Sequence, residues 1–485
     1  MNLIQSAIER FVQGSNQPVL SEPGEDLMEL RNGNLCLEER NGVVVLQAWD
    51  ARRNVVRRVT AVESESKARL NVRTERFGKK VGSLSFLDLK RGDAKSAGRQ
   101  ANRGEFRENF RRLLLREFPE AAIQTLTTGQ SLKDSLSSVY PRALLRKGPA
   151  WWAAIGAAPD TSVDGVLTFG LIWLDYLRRK EPHRAVPGLI LFLPAGQEKT
   201  TCRRLRFLNP AVARFRVFVY SEDETAVELD QADSGNLDTR LEPCQRAVAQ
   251  LACGAETLLA IHGVESIGLG SGATSFRVRG LEFARFENGG WLSCFERVRS
   301  VPRASLNQLR ALGQELARVR SPDSPDCQHP LRLRNPESWM ESQVRAHLED
   351  VDPVLCPHPV YGQVPAFAGG DRTVLDLLAV DRGGRLAVLE LKASEDIHLP
   401  LQALDYWMRV KWHLDCNEFF VNGYFPGIRL SPLPPRLLLI GPALSFHPSN
   451  ERVLQFFSPE VPVERVGLGV EWQKKVSVLS KVLFR

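Results

Sequence analysis

Short runs of apolar residues, divided by turn residues, dominate the sequence between residues 30 and 90. The runs NLCLEER, GVVVLQAW and VGSLSFLDL are separated by Asn-Gly and glycine-rich turns. Because side chains alternate between the two faces of a strand, this pattern predicts a β-rich N-terminal domain over residues 1–95. The preceding MNLIQSAIERFVQG predicts a short amphipathic helix and not a signal peptide, since Glu9 and Arg10 interrupt its apolar residues.

Residues 96–225 combine helical and strand patterns. The stretch KRGDAKSAGRQANRG, residues 90–104, spans the start of this segment and has the basic, polar composition of a linker. The segments FRENFRRLLLREF and LTFGLIWLDYLRR carry apolar residues at helical spacing. Strand-like runs flank the second of these helices: PRALLRK, AWWAAIGA, GLILFLP and RFRVFVY. The order of these elements predicts an α/β module.

Two further segments complete the chain. Residues 226–330 predict a β-rich stretch from about 255 to 300, then a helix at SLNQLRALGQELARVR and the linker SPDSPDCQHP. Here IGLGSGA fits a dinucleotide-binding glycine pattern, but the alternating TSFRVRGLEFARF that follows favours a hairpin turn. Residues 331–485 predict a second α/β module, with strands at TVLDLLAV, RLAVLELK and RLLLIGPA. The predicted fold class is therefore α/β and β-rich, in several domains.

The composition is typical of a soluble globular protein. The 485-residue chain has 43% hydrophobic and 25% charged residues and no apolar run long enough to cross a membrane. Its eight cysteines are scattered and form no CxxC pair, so we expect reduced thiols and a cytoplasmic location. The net charge of +7 is compatible with a polyanionic partner such as nucleic acid, although many basic proteins bind none.

Charged residues interrupt the apolar strand pattern of the last module. The segment RTVLDLLAVDRGGRLAVLELK places Asp376 on one strand, and Glu390 and Lys392 on the next. Because DRGG joins the strands as a hairpin, the two carboxylates can converge. Two carboxylates and a backbone carbonyl make the oxygen-rich site that Mg²⁺ or Mn²⁺ prefers, and a nearby lysine can orient water or stabilise charge on a phosphate. The alternative is a structural ion-pair network.

The last module resembles the PD-(D/E)XK nuclease superfamily, whose core consists of a helix, a β-hairpin, a second helix and a strand. The resemblance rests on residues that follow the superfamily's order: Glu341, Asp376, Glu390, Leu391 and Lys392. Gln402 and Tyr406, four apart on the next helix, resemble the QxxxY element of the RecB-like branch. The segment VLDLLAVDRGGRLAVLELK also reads much like the nuclease domain of NucS-type endonucleases. One departure is Leu375, which stands where the superfamily's motif has proline.

This resemblance implies a Mg²⁺-dependent or Mn²⁺-dependent nuclease, and most simply an endonuclease that acts on DNA in repair or defence. Asp376, Glu390 and the backbone carbonyl of Leu391 would hold the metal ion. Glu341 would complete the site or bind a second ion, or else it is a solvated helix residue. Because the superfamily is versatile, RNA as the substrate and the choice between exonuclease and endonuclease activity stay open.

The resemblance also assigns roles to three residues around the metal. Lys392 would assist the attacking water, and Gln402 with Tyr406 would position Lys392 or the scissile phosphate. Two other classes of protein fit the same sequence. One is an inactive nucleic-acid-binding scaffold that keeps the fold for its shape, and the other is a subunit whose basic surface docks a protein partner.

The module at 96–225 repeats the order of the last one, which predicts a degenerate second copy. LDY occurs at residues 174–176 and 404–406, followed in both modules by basic residues and a buried strand. When Glu108 is aligned with Glu341, four residues of the candidate site are replaced in the first copy: Arg142 stands for Asp376, Gly156 for Glu390, Ala158 for Lys392 and Ile172 for Gln402. The first copy then has no metal site. We therefore expect an intrachain pseudo-dimer or a homodimer, in which Arg142 contacts a phosphate of the nucleic acid. The alternatives are chance similarity and a surface or ion-paired Arg142.

Overall fold

The computed structural model describes most of the chain between residues 3 and 484. The residues outside the described part within these limits are 16, 22–27, 31–34, 41–42, 50–53, 67, 77–79, 89–95, 130, 132, 160, 222–224, 231–238, 245–253, 269–272, 295–304, 327–328 and 369–370. The described residues form a mixed α/β structure with four sheets. No helix in this part of the chain is both long enough and apolar enough to cross a membrane.

The N-terminal domain is one antiparallel sheet with a helix against it. Its elements are α1 (Leu3–Gly14), β1 (Pro18–Ser21), β2 (Met28–Glu29), β3 (Leu35–Arg40), β4 (Val43–Trp49), β5 (Asn54–Glu65), β6 (Arg69–Arg76) and β7 (Lys80–Asp88). The strands lie in the order β2-β1-β7-β6-β5-β4-β3. Ile8 and Phe11 of α1 share a core with alternate residues of β4, Val44 and Leu46. The amphipathic helix and the β-rich content that the sequence predicts for this segment are both present.

The first α/β module is a six-stranded sheet. Its elements are α2 (Ser96–Glu117), β8 (Ala122–Thr127), β9 (Arg142–Lys147), β10 (Ala150–Gly156), α3 (Val166–Lys180), β11 (Gly188–Pro194), α4 (Lys199–Leu205), β12 (Arg214–Tyr220) and β13 (Ala226–Leu229). The strand order is β13-β12-β11-β10-β9-β8. β9 and β10 form a hairpin, and β10, β11 and β12 run parallel. Helix α3 connects the first parallel pair.

A four-stranded antiparallel sheet with a helix follows in the middle of the chain. The elements of this region are β14 (Thr239–Leu241), α5 (Ala255–Leu259), β15 (Val264–Gly268), β16 (Thr274–Val278), β17 (Leu281–Glu287), β18 (Gly290–Ser293) and α6 (Leu306–Val319). The sheet has the order β15-β16-β17-β18, and α6 packs against it through Leu309 and Leu316. The glycine-rich IGLGSGA connects the antiparallel strands β15 and β16, although its residues 269–272 lie outside the described part.

The last module is a seven-stranded sheet whose outer strand, β14, belongs to the middle region of the chain. Its elements are α7 (Pro330–Leu333), α8 (Pro336–Ala346), α9 (Leu348–Val351), β19 (Tyr361–Ala368), β20 (Asp371–Val380), β21 (Leu386–Leu391), α10 (Leu399–Asp415), α11 (Glu418–Val421), β22 (Arg436–Pro442), α12 (Ser449–Leu454), β23 (Val463–Leu468) and β24 (Val478–Phe484). The strand order is β14-β19-β20-β21-β22-β23-β24. β20 and β21 form a hairpin, and β21, β22 and β23 run parallel.

The two α/β sheets have the same internal order and directions. In each, an antiparallel strand and a hairpin lead into two parallel strands, and a last antiparallel strand forms the far edge. Helices α3 and α10 occupy the same place, between the second hairpin strand and the next parallel strand. The repeated order that the sequence predicts is therefore present in the backbone.

The two α/β modules share one hydrophobic core. The inner faces of both sheets and helices α3 and α10 contribute buried residues to it: Leu144, Ile155, Leu171, Leu191, Leu378, Val388, Leu404 and Leu439. Burying apolar surface from both modules in one cluster ties their stability together, because neither inner face is then open to water. The outer faces of the two sheets have separate cores, beneath α2 and α8.

Backbone contacts are exchanged reciprocally across this shared core. The amide of Asn209 donates to the carbonyl of Phe456 at 2.7 Å, and the amide of Ser458 donates to the carbonyl of Phe207 at 2.8 Å. Leu208 and Phe457 form an isolated β-bridge between these two bonds. Such reciprocity is what an isologous two-fold interface shows between identical subunits. Here the two partners are halves of one chain.

Several elements differ from the sequence predictions. The predicted linker KRGDAKSAGRQANRG becomes helical from Ser96, because α2 continues into it. The pattern did not predict the polar strand β8, the edge strands β13, β14 and β24, or β19, which contains Pro365 and Gly362. The predicted boundary after residue 225 falls inside the first module, since β13 completes its sheet. The boundary before residue 331 also moves, because β14 pairs with β19.

Candidate functional site

The hairpin of β20 and β21 brings the two predicted carboxylates together. Leu377 pairs with Leu389 in the ladder, so Asp376 and Glu390 face each other one step further along it. The backbone amide of Leu391 donates to Oδ2 of Asp376 at 2.9 Å. The N–H and C=O of one extended residue point to the same neighbouring strand, so the Leu391 carbonyl lies on the same side as Asp376. Both carboxylates are on the face that carries α10.

Lys392 lies among several carboxylates. Its Nζ is 3.9 Å from Oε1 of Glu390, 3.7 Å from Oε1 of Glu337 and 3.8 Å from Oδ2 of Asp396. With Asp376, four carboxylates surround one ammonium group, which leaves a local excess of negative charge when all of them ionise. A buried excess charge is costly unless protons or a cation neutralise it.

Burial and the excess of negative charge shift the pKa values of the cluster. Burial raises the pKa of Asp376 to about 7, against the opposing effect of the Lys392 ammonium. Burial and the charge of Asp376 raise the pKa of Glu390 well above its usual range. Burial alone would lower the pKa of Lys392, but the charges of Glu337 and Glu390 outweigh it and raise that pKa. The lysine therefore stays charged, and the Asp376 and Glu390 pair tends to keep a proton at neutral pH.

Glu341 lies at the edge of the cluster, on the buried side of α8. Its Oε1 accepts a hydrogen bond from Nη1 of Arg345 at 3.1 Å, and Nη2 of Arg345 binds Glu265 of β15. Burial raises the pKa of Glu341, and the charge of Glu341 in turn raises that of Asp376. Gly362 allows the backbone of β19 to lie close to the Glu341 carboxylate, because a Cβ at this position would come within 2.8 Å of Glu341 Oε1. The middle sheet therefore helps to hold this carboxylate beside the site.

Helix α10 covers the carboxylate face of the hairpin. Gln402 and Tyr406 lie on the same side of this helix, one turn apart, and both are half-buried. Burial and the charges of Glu390 and Asp376 raise the pKa of Tyr406 well above its usual range. The phenol is therefore protonated at neutral pH, so its O–H is available as a hydrogen-bond donor.

The residues of this cluster fit a hard divalent cation. Oε2 of Glu390 is buried and accepts no hydrogen bond from any described residue, so one carboxylate oxygen is available as a ligand. The donor set is oxygen only, which suits Mg²⁺ or Mn²⁺ better than a thiophilic metal. Among the described residues, no three His, Cys, Asp or Glu side chains are already spaced as a metal cage. A cation would therefore rely on two carboxylates, the Leu391 carbonyl and water.

The equivalent positions in the first module carry no such chemistry. Arg142 pairs with Ile155 across the hairpin of β9 and β10, as Asp376 opposes Glu390. The predicted equivalence of Gly156 with Glu390 is therefore wrong by one residue. Glu108, predicted to match Glu341, is exposed and lies beside Arg107 and Arg111.

Arg142 itself is buried and has a structural role. Its guanidinium donates to the backbone carbonyls of Ser137 and Gly129 and lies 5.5 Å from the ring centre of Trp173. Burial lowers the pKa of Arg142 to about 10. Because only 1% of the residue is exposed, the prediction that Arg142 contacts nucleic acid is wrong. Its bonds instead hold the connection between β8 and β9.

The sequence reasoning missed Glu337 and Asp396 as members of the site. Glu337 lies one helical turn before Glu341, so the same helix face carries both toward the hairpin. A second glutamate on this helix is also typical of a solvated helix face, whereas the structure places Glu337 beside Lys392. Asp396 follows β21 by five residues in an irregular segment, where no periodic pattern predicts its contact with Lys392.

Comparison with known proteins adds no assignment to this geometry. The chain matches no protein-family model, no curated protein and no solved structure.

Proposed function

We propose that the protein is a metal-dependent nuclease that hydrolyses phosphodiester bonds, most simply in DNA. The observation that supports this function best is the pairing of Asp376 with Glu390 on adjacent strands, with Lys392 beside them. Two facing carboxylates and a permanently charged lysine are what hydrolysis of a phosphodiester requires, namely cation ligands and a group that stabilises an attacked phosphate.

Each residue of the cluster has a role in this proposal. Asp376, Glu390 and the Leu391 carbonyl would hold Mg²⁺ or Mn²⁺, which supplies a polarised phosphoryl oxygen and an acidified water when bound. The Lys392 ammonium orients the attacking water and stabilises negative charge on the phosphate. Tyr406, kept protonated by burial and by its acidic neighbours, would accept a hydrogen bond from the Lys392 ammonium or donate one to a phosphate oxygen.

Three further side chains shape the environment of that chemistry. Glu337 and Asp396 hold the Lys392 ammonium in place from two sides. Glu341 adds negative charge near the cation site and is itself oriented by Arg345. Gln402, one turn before Tyr406, would contact the same phosphate. The first α/β module, which lacks these residues, supports the catalytic one through the shared core.

The test is cleavage of plasmid, linear and branched DNA, and of RNA, with Mg²⁺, Mn²⁺ or EDTA. We expect cleavage with either metal ion, none in EDTA, and none with an Asp376→Asn variant. Glu349→Gln is a matched control, because it removes an exposed carboxylate that pairs only with Arg382 in the described structure. Binding of nucleic acid without cleavage under every condition would favour the inactive scaffold, and the absence of both would favour the protein-docking subunit.

A further inference from the structure

Arg409 lies on the same face of α10 as the candidate site. Gln402, Tyr406, Arg409 and His413 follow one another at spacings of three or four, so they form one stripe along the helix. The Arg409 guanidinium carbon is 6.0 Å from the ring centre of Tyr406. Three residues of helix place Arg409 about 4.5 Å further along the axis than Tyr406. The arginine is therefore adjacent to the site and not part of the carboxylate cluster.

The guanidinium of Arg409 has bonding capacity that the described protein does not use. Its Nε and Nη1 are buried and donate to no described residue. An arginine has five N–H donors in a rigid fork that matches the oxygens of a phosphate. Buried donors without partners are costly in a folded protein, so a ligand that satisfies them is favoured.

The corresponding arginine of the first module keeps a partner on its own helix, although that partner, Asp175, also accepts from Nε2 of Gln455 at 3.1 Å and lies 3.8 Å from Nε of Arg452. The motif LDYxxR occurs in both halves, so Arg179 of α3 corresponds to Arg409 of α10. Nε of Arg179 donates to Oδ2 of Asp175, four residues earlier, at 2.8 Å. Such an i,i+4 pair on a helix face is the expected arrangement for the motif.

In the last module, the corresponding aspartate is occupied by another residue. Nε and Nη2 of Arg204, from α4 of the first half, donate to the two carboxylate oxygens of Asp405 at 2.9 and 2.7 Å. This bidentate bond leaves Asp405 satisfied by a buried guanidinium from across the shared core. Arg409 thereby loses the intrahelical partner that Arg179 retains.

We propose that Arg409 binds a phosphate that flanks the scissile one on a nucleic-acid strand, and that Arg204 of the first half keeps it available by occupying Asp405. This assignment rests on the proposed nuclease function and extends it to how the substrate strand is held. It also gives the degenerate module a defined contribution to substrate binding, which acts through one ion pair.

The test measures binding of a fluorescein-labelled oligonucleotide in EDTA by anisotropy, over a series of salt concentrations. Arg409→Gln should weaken binding about tenfold to a hundredfold, because a charge-assisted phosphate contact is lost. It should also reduce the slope of log affinity against log salt by about one. Arg179→Gln is the matched control, since it removes the same charge from the same motif where the aspartate already binds it.

A second pair of variants tests the part played by Arg204. Arg204→Gln frees Asp405 to accept from Arg409, so binding should weaken in the same direction. Adding Asp405→Asn to that variant removes the competing carboxylate and should restore much of the affinity. Melting curves identify any variant that fails to fold, and in that case Arg409→Gln against Arg179→Gln decides the assignment.

The outcomes separate this assignment from the proposed function. If the wild-type protein cleaves and binds nucleic acid while Arg409→Gln keeps the affinity and salt slope of the wild type, the assignment to Arg409 is overturned and the nuclease function stands. If Arg179→Gln weakens binding as much as Arg409→Gln, the effect is one of general charge and the assignment also fails. If the wild type neither binds nor cleaves, both proposals fall.

Discussion

The backbone amide of Leu391 donates a hydrogen bond to Oδ2 of Asp376, so a side chain takes the place of a carbonyl at the end of the β20 and β21 ladder. This bond fixes one oxygen of the carboxylate. The paired register of the two strands ends at Leu377 and Leu389, so Asp376 and Glu390 lie just beyond it. The candidate cation site is built at the end of the hairpin's hydrogen bonding.

Asp376→Asn and Glu390→Gln should each abolish metal binding and cleavage. Both changes keep the size of the side chain and remove a charged oxygen ligand, so we expect Mn²⁺ affinity to fall by more than about a hundredfold. Calorimetric titration with Mn²⁺ measures this directly. Glu349→Gln, with its exposed carboxylate, should titrate like the wild type, and an unchanged Mn²⁺ isotherm for Asp376→Asn would show that the ion binds elsewhere.

Lys392→Met should separate chemistry from metal binding. Removing the ammonium takes away charge stabilisation at the phosphate, so cleavage should fall by about a hundredfold or more. Metal affinity should persist or increase, because the carboxylates lose a competing cation. Single-turnover cleavage and Mn²⁺ titration of the same variant measure the two effects. Loss of both together would indicate that Lys392 supports the fold of the site and not the reaction.

Metal affinity should rise with pH. Burial raises the pKa of Asp376 to about 7, so below that pH a cation must displace a proton from the carboxylate pair. Mn²⁺ binding should therefore strengthen as pH increases from about 5.5 to 8 and should release protons on the way. Titrations in buffers of different ionisation enthalpy count those protons. An affinity that does not change across this interval would contradict the raised pKa.

Acid should destabilise the last module through a buried ion network. Arg436 binds Asp352 and Glu464, and Lys481 binds both carboxylates at 2.8 Å. Burial alone would raise the pKa of Asp352 and Glu464, but these cations outweigh it and lower both below the ordinary 3.8 and 4.5.

Because the folded pKa values are depressed, the network stabilises fully above about pH 4.5 and loses its contribution as pH falls further. Urea unfolding at about pH 7 and pH 3.5 should show this loss in the wild type. Asp352→Asn should lower the unfolding free energy at neutral pH by about 3 to 5 kcal/mol, since it leaves the buried Arg436 guanidinium short of a partner, and should show a smaller acid effect. An equal acid effect in the variant would place the sensitivity in other carboxylates.

Residues 331–485 should not fold stably alone. Separation from the first module would expose the inner face of the last sheet, including Leu404 and Phe457, to water. We expect aggregation of this fragment and a soluble complex when it is co-expressed with residues 96–330, which also supply β14. Sedimentation measures the association state of the two samples, and thermal melting measures whether each unfolds cooperatively. A monomeric fragment with a cooperative melt would show that the shared core is dispensable.

Strong local patterns made much of the last module predictable. Strand periodicity located the hairpin, and the structure brings its two interrupting carboxylates together on adjacent strands. The sequence singles them out because a buried charge is costly unless it is paired or bound to a cation. The sequence could not show that Glu337 reaches Lys392, since that contact depends on how α8 crosses the sheet. Strand β19 was not predicted, because its glycine and proline break the β pattern. Pairing with β14 on one side and β20 on the other stabilises it as a strand.

The comparison of the two halves failed at one residue for a physical reason. Counting from the helices placed Gly156 at the glutamate position, whereas the ladder pairs Arg142 with Ile155. Side chains alternate between faces, so a shift of one residue exchanges the inner and outer faces of a strand. The length of the loop between a helix and a hairpin can vary at little cost in free energy. Counting residues from the helix therefore does not give the register of the strands, which has to be taken from their hydrogen-bonded pairing.

The reciprocal bonds of Asn209 and Ser458 also bear on how such a molecule can change over time. In a homodimer, every substitution appears in both subunits, so a residue that improves one side of the interface is imposed on the other. Joining the two halves in one polypeptide removes this coupling, and each position can be selected for its own surroundings. Arg204 corresponds to Val453 of the last half when the two bonds are aligned, and only a fused pair can keep an arginine at one of these positions and a valine at the other.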